Sequence, residues 1–383
     1  MTRAVNVASS TSLALVTPTL GTPTSGSLVN CADLNYTGFK NRIINGAMVI
    51  DQRNAGASVT LPSTGGQYTL DRWTCASNNA SKYSVQQNAG SVTPPVGFTN
   101  YLGVTSLAAT TVAAGDYYFL QQPIEGYNIA DLAFGTVNAK TVTLSFWVRS
   151  SLTGTFGGAL QAQGSTRNYP FGYSIPVANT WTQISITVAG DTSGTWFTTN
   201  GVGLNVFFGL GIGTTYSGTT GSWSTTNYIS VTGATSVVGT SGATFYITGV
   251  QLEKGSTATS FDYRPYGTEL QLCQRYCYVW DSAEASAAYG KIGLGFFTST
   301  TVFKGFSYFP VKMRASPSSL TASGSINMYD GASNITATSI AIDQATPLTL
   351  SYEVGCSGAT AYRPALFQAN NNNTAKIIIS AEL

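Results

Sequence analysis

Between Gly201 and Gly213 the chain reads GVGLNVFFGLGIG. Val202, Leu204, Val206, Phe208, Leu210 and Ile212 recur at every second position. An extended chain turns successive side chains to opposite faces, so this period marks a strand with one buried face. The same period runs through TVTLSFWVRS, where Val142, Leu144, Phe146 and Val148 share a side. In TWTQISITVAG it aligns Ile184, Ile186 and Val188, and in TFYITGVQLEKG it sets Tyr246, Val250 and Leu252 on one face. Clusters of Gly, Asn, Ser and Thr separate these runs, and no helical pattern interrupts them from 41 to 264. That arrangement predicts an all-β fold, a large antiparallel sandwich of the jelly-roll kind.

The pattern changes at QLEKGSTATSFDYRPYGTELQLCQRYCYVW, Gln251 to Trp280. Pro265 and Gly267 stop the strand, and Thr268-Glu269-Leu270-Gln271 matches a capping box. Leu272, Cys273, Tyr276 and Trp280 then follow the helical period. A short connecting helix is expected over 265–280. Its apolar stripe (Leu270, Leu272, Cys273, Tyr276, Trp280) is expected to lie between domains and between protomers of an oligomer. Residues 281–383 return to short β runs such as KIGLGFF, VFKGFSYFPV, PLTLSYEV and KIIISAEL, enough for a small C-terminal β-sandwich. Residues 1–40 carry the tandem TPTLG and TPTSG, which fix and bend the backbone without a core. They read as an extended N-terminal arm that folds against a partner.

Charged residues make up 9% of the 383, and the net charge is +2. No Lys or Arg block is available to displace counterions from a phosphate backbone, which argues against nucleic acid as a partner. No apolar run is long enough to cross a membrane as a helix. MTRAVNVASSTSLALV lacks the continuous apolar core of a signal peptide, so folding in a cytoplasm is expected. The chain has no histidine, which removes the commonest general base and metal ligand. Cys273 and Cys277, four apart, read as buried thiols and not as half of a zinc site. Asp71 beside Arg72 reads as a local ion pair or a turn contact, not as an acid dyad. No acid pair or phosphate cradle proposes catalysis, and the chain reads as a non-enzyme. No cofactor is called for; Asn45 and Glu253 are the candidate pair for a structural calcium.

The aromatic residues carry the functional reading. Trp147 and Arg149 oppose the apolar face of their strand, Trp181 sits with Gln183, Ser185 and Thr187, and Phe207 lies near Asn205. Large rings on a polar face suit a sugar, whose C–H face stacks while its hydroxyls find polar neighbours. Trp196, Tyr216 and Trp223, in Gly- and Thr-rich segments, form a second candidate set. The plainer reading of all seven is packing beneath loops or against a neighbouring subunit.

Several longer phrases resemble a β-sandwich module of tailed-phage tail proteins. They are GFKNRIINGAMVIDQRNAG, TLDRWTC, TVTLSFWVRSS, the stretch ending in DYRPYGTELQLCQRYCYVW, and the closing FPVKMRASPS and IIISAEL. The resemblance covers residues 38–383. It implies a virion fibre or tail protein, usually trimeric, with a jelly-roll domain like a carbohydrate-binding module. On this reading the arm docks on a tail or head platform, and the partner is a bacterial surface polysaccharide. The alternatives are a head- or tail-associated structural protein, a cellular carbohydrate-binding module and a glycan depolymerase.

Overall fold

The computed structural model describes residues 39–61, 65–282 and 289–383. The arm therefore lies outside the described residues, apart from its last two positions. Lys40–Leu383 form one unit. Its first strands are β1 (Val59–Thr60), β2 (Gly65–Tyr68), β3 (Thr74–Ser77), β4 (Tyr83–Gln87), β5 (Leu102–Ser106) and β6 (Tyr117–Glu125). There follow β7 (Val142–Ser150), β8 (Gly154–Ala162), β9 (Asn168–Ile175), β10 (Thr182–Val188) and β11 (Val202–Ile212). A short parallel pair, β12 (Ser217–Gly218) and β13 (Ser230–Val231), precedes β14 (Thr244–Lys254). A front sheet runs in the order β1-β4-β5-β14-β7-β10, and a back sheet in the order β2-β3-β6-β11-β8-β9. Both are antiparallel, and the chain crosses repeatedly from one to the other, as in a jelly roll.

The alternating residues face each other across this sandwich. Phe208 on β11 meets Phe146 on β7 at 5.0 Å between ring centroids, with Trp73 and Phe171 each at 6.3 Å. Two expected rows are interrupted. β11 shifts register between Val202 and Leu204 and again between Gly209 and Gly211. Ile212 is thereby re-aimed and packs with Phe119 and Phe207 outside the main core. β14 shifts between Thr248 and Gln251. Phe245 and Ile247 join Val250 and Leu252 in the core, and Tyr246 points outward. A bulge inserts a residue and reverses which side chains face in beyond it.

The helix α1 (Tyr266–Gln274) is shorter than the span read from its pattern. Pro265 precedes it without a side-chain cap, so Thr268 lies inside the first turn and no capping box forms. Tyr276 turns back to bond Cys273 O at 2.9 Å, and Trp280 belongs to the next strand, β15 (Cys277–Asp281). Val279 and Trp280 lie opposite Ile378 and Ile377, so sheet pairing overrides the helical period there. Part of the stripe is buried within the chain: Cys273 and Tyr276 close against Ile44 and Ile50, with half-buried Leu270, Leu272 and Leu383 packed around them.

Beyond β15 come β16 (Lys291–Phe297), β17 (Val302–Tyr308), β18 (Ser319–Ser323), β19 (Ile326–Tyr329) and β20 (Asn334–Thr336). The last are β21 (Ser339–Ala345), β22 (Thr349–Gly355), β23 (Pro364–Ala369) and β24 (Lys376–Ser380). A three-stranded sheet, β15-β24-β18, packs on a seven-stranded one, β20-β19-β23-β16-β17-β22-β21.

A network of charges locks this domain to the sandwich. Arg72, buried, pairs with Glu382, which also takes Arg53 at 2.8 Å. Glu125 accepts Arg275 Nη2 and Tyr276 Oη, both at 2.6 Å. Arg314, held by Ala381 O at 2.9 Å and Glu382 O at 2.8 Å, donates across to Asn200 O at 2.8 Å. Asp71 does not pair with its neighbour Arg72. Its Oδ2 accepts from Gln52 N and its Oδ1 from Gln52 Nε2, both at 2.7 Å, with Arg53 Nη1 at 3.5 Å. Asn45 bonds Ile50, Asp71 O and the carboxylate of Glu269, and Glu253 bonds Thr259. The proposed calcium pair is thus not brought together. Beside Asn45, Gly46 has no room for a side chain, since a Cβ would stand 2.2 Å from Val250 O.

Candidate functional site

β7 runs near one edge of the front sheet, between β14 and the edge strand β10. Its outward residues are Thr143, Ser145, Trp147 and Arg149. Trp147 stands directly opposite Gln183 on β10 and Thr248 on β14, and Arg149 stands opposite Tyr246. Thr182 pairs with Val148, so Trp181, one residue earlier, is beside Arg149. The structure therefore brings together three of the seven aromatic-site candidates: Trp147, Arg149 and Trp181.

Loops roof part of this face. One, residues 88–101, is pinned by Thr248 Oγ1, which donates to Asn100 O at 2.7 Å. Another, residues 255–263, is pinned by Gln251 Oε1, which accepts from Asp262 N at 2.8 Å. The two loops meet through Phe98, Phe261 and Tyr263, with ring centroids 4.8–5.4 Å apart. Under the roof Tyr101, Tyr246, Thr248 and Gln251 are buried. Exposure returns at half-buried Trp147 and Arg149 and at exposed Gln183, Ser185 and Thr187. What remains open is a strip along β7 and β10, with rings at its inner margin and amide and hydroxyl groups along its outer one.

The groups in this strip differ in what they have left to offer. Trp181 donates its indole N–H to Thr93 O at 2.9 Å and stands edge-on to Tyr101 at 5.6 Å. Arg149 Nε donates to Asn179 O at 2.9 Å, and its guanidinium lies 5.5 Å from the centre of the Tyr246 ring. Both are held by the protein. Trp73, Trp196, Trp223 and Trp280 likewise donate to carbonyls, those of Asn45, Ser193, Ala189 and Lys291. Trp147 is the exception among the six tryptophans: its indole N–H makes no hydrogen bond with any described residue. A half-buried indole ordinarily finds a partner for its N–H.

The other four candidates are elsewhere. Phe207 is on the back sheet, the opposite side of the sandwich, buried with Phe119, Ile229 and Tyr216. Trp196 and Trp223 meet edge-on at 5.4 Å and share Phe134, at 4.8 and 5.9 Å. They close off the main core and are not exposed loop rings. The Gly- and Thr-rich flanks that suggested exposure instead let these loops fold back onto the sandwich. Beside Phe207, a groove of about 290 Å³ is lined by Tyr68, Thr74, Gln121, Gln163 and Asn205. Gln121 Nε2 donates to Asn205 Oδ1 at 2.6 Å across its floor. Sequence reading missed this amide pair because nothing in the period alone sets β6 against β11.

Among the described residues four thiols are free and buried: Cys75, Cys273, Cys277 and Cys356. Burial raises the thiol pKa of each, and pushes that of Cys75 up to about 12. Among the described residues no group of three or more His, Cys, Asp or Glu is placed to hold a metal.

No protein-family profile matches the chain, and no curated protein matches it. Similar solved structures include the enzymatically active domain of bacteriophage CBA120 tailspike protein 4, at 13% identity and TM-score 0.31. That match covers 56% of this chain and 21% of the tailspike, so it spans about a fifth of that protein. A structure described as "CBM4 structure and function" matches at 14% identity and TM-score 0.27, over 55% of this chain and 98% of its own. TmCBM61 in complex with β-1,4-galactotriose matches at 10% identity and TM-score 0.29, over 56% of this chain and 99% of its own. The candidate strip stands on the geometry described above and not on these likenesses.

Proposed function

We propose that this chain is a non-catalytic glycan-binding protein of a phage particle, a fibre or tail component that attaches the virion to a bacterial surface polysaccharide. The observation that carries the binding part is Trp147, a half-buried indole whose N–H has no partner among the described residues, set opposite Gln183 on an open strip. A sugar ring laid on Trp147 meets the amide of Gln183 directly opposite, with the Ser185 hydroxyl two residues further along β10. Arg149 and Trp181 fix the inner margin, the first held through its Nε on Asn179 O and the second through its indole N–H on Thr93 O. No carboxylate stands on the strip. Glu253, further along the same face, is buried and bonded to Thr259. The reading is therefore of recognition and not of bond cleavage, which needs two carboxyl groups facing each other across the sugar.

The virion setting is supported by the phrases that resemble tailed-phage tail proteins. Residues 1–40 are then the part that docks on the tail or head platform. The particle carries the chain as a homo-oligomer, a trimer, so that weak single sites act together. The test is an array of capsular and O-antigen polysaccharides probed with the full chain. Binding to at least one glycan, lost in Trp147→Ala and without release of reducing ends, supports the proposal. Binding to none, or reducing-end release, overturns it; the first result would leave a structural virion protein, the second a depolymerase.

A further inference from the structure

The seven-stranded sheet of the C-terminal domain has an unusual outward face. Tyr329 on β19, Leu366 on β23, Leu294 on β16 and Phe306 on β17 form one row across four adjacent strands, each directly opposite the next. Phe296 lies two residues along from Leu294, and Tyr308 two along from Phe306, with the Phe306 and Tyr308 rings 4.8 Å apart. All six are exposed, from 36% at Leu366 to 72% at Tyr308. These are not core residues that missed the core. The inward positions of the same strands are Gly293, Gly295 and Gly305, interleaved with Phe297 and Phe303. A Cβ on Gly305 would stand 2.3 Å from the Tyr352 ring. The sheet thus keeps glycine inside, where buried aromatic rings lie close to the backbone, and its large side chains outside.

We propose that this face is the contact between copies of the chain. The inference rests on the homo-oligomeric part of the reading above and locates its interface. Three observations favour a second copy as the occupant. At roughly 200 Å² for a full side chain of this size, the exposed parts of the six amount to about 600 Å². That approaches the ~800 Å² each partner gives to a stable interface. The centre is aliphatic and aromatic, while ion pairs of both signs sit at the margins: Lys304 with Asp343 and Glu353 on one side, Arg363 with Asp330 on the other. An apolar centre with a charged rim is protein-interface anatomy, and a rim of mixed sign can complement itself. A sugar is disfavoured because Leu294 and Leu366 offer its hydroxyls nothing to bond.

The experiment is the mass of the full chain in solution, measured by sedimentation velocity, for wild type, Leu294→Asp/Phe306→Asp and Tyr308→Arg. A control, Val137→Asp, alters an exposed apolar residue on the sandwich. The expected result is a wild-type mass at a multiple of 40.1 kDa, the control unchanged, and both face variants shifted at least tenfold toward monomer. Should the double variant fail to fold, Tyr308→Arg decides, since its side chain is the most exposed of the six. An oligomer that survives the face variants overturns this interface but leaves the homo-oligomeric reading standing. A monomeric wild type overturns both.

Discussion

Arg72 lies flat against Tyr276, its guanidinium carbon 3.6 Å from the centre of the ring. The arginine comes from the turn before β3, the tyrosine from the end of the connector. Arg72 also pairs with Glu382, while Tyr276 bonds Glu125. Three segments far apart in sequence are thus held by one buried cation. Burial disfavours its charge, but Glu382 and the neighbouring groups outweigh that and hold its pKa above the ordinary arginine value.

Removing that cation is expected to be costly. Arg72→Leu leaves Glu382 buried with Arg53 as its remaining cationic partner. A buried pair broken on one side costs about 3–5 kcal/mol. The denaturant midpoint should fall accordingly, and a variant within about 1 kcal/mol of wild type would show that the pair does not couple the domains.

Asp71 gives the joint a pH dependence. Burial, its largest influence, raises its carboxyl to about 6, against Arg53 and the Gln52 bonds that pull the other way. The folded pKa lies above the unfolded value, so the folded state holds the extra proton between about 4 and 6. Asp71's contribution to stability therefore rises as pH falls through 6 and weakens as pH rises. Burial also raises the pKa of Asp51, which acts in the same direction. Asp71→Asn should flatten the slope of unfolding free energy between pH 7 and 5. An unchanged slope would contradict the assignment.

Tyr276→Phe tests the bond to Glu125 alone. A hydrogen bond to a charged group contributes about 1.5–3 kcal/mol. Loss of that order is expected in thermal or denaturant unfolding, with no change in oligomeric mass. Leu272→Asp should likewise act on stability, because part of its stripe is covered within the chain.

The thiols of Cys273 and Cys277 should be silent toward iodoacetamide in the folded protein. Both are fully buried and have raised pKa values, so little thiolate forms and reagent has no path. Peptide mapping should find them modified only after denaturation; labelling at native conditions would mean the joint opens.

Much of the sandwich was legible because alternation is local. Val142, Leu144, Phe146 and Val148 face the core as their period requires. Ile212 and Tyr246 do not follow, since bulges change the facing of a strand without leaving a mark in its hydrophobicity. Trp147, Arg149 and Trp181 were legible as a face, but not their different bonding, which depends on carbonyls of loops such as 88–101. The flanks of Trp196 and Trp223 suit exposed loops, yet tertiary packing buries Trp196 and half-buries Trp223. The longest recognisable phrases, INGAMVIDQR, LDRW and RPYGTELQLCQRY, prove to build the interdomain joint around Asn45, Arg72 and Tyr276. They announce the architecture and say nothing of the strip that would meet a sugar.

The most direct test of the glycan reading is a calorimetric titration of the full chain with the polysaccharide it retains on the array. Wild type and Trp147→Ala are compared at matched unfolding midpoints. Loss of the stacking surface and of the indole N–H should weaken binding at least tenfold, about 1.4 kcal/mol, with little dependence on salt. Equal affinity in the two proteins would contradict the account and move the binding site off this strip.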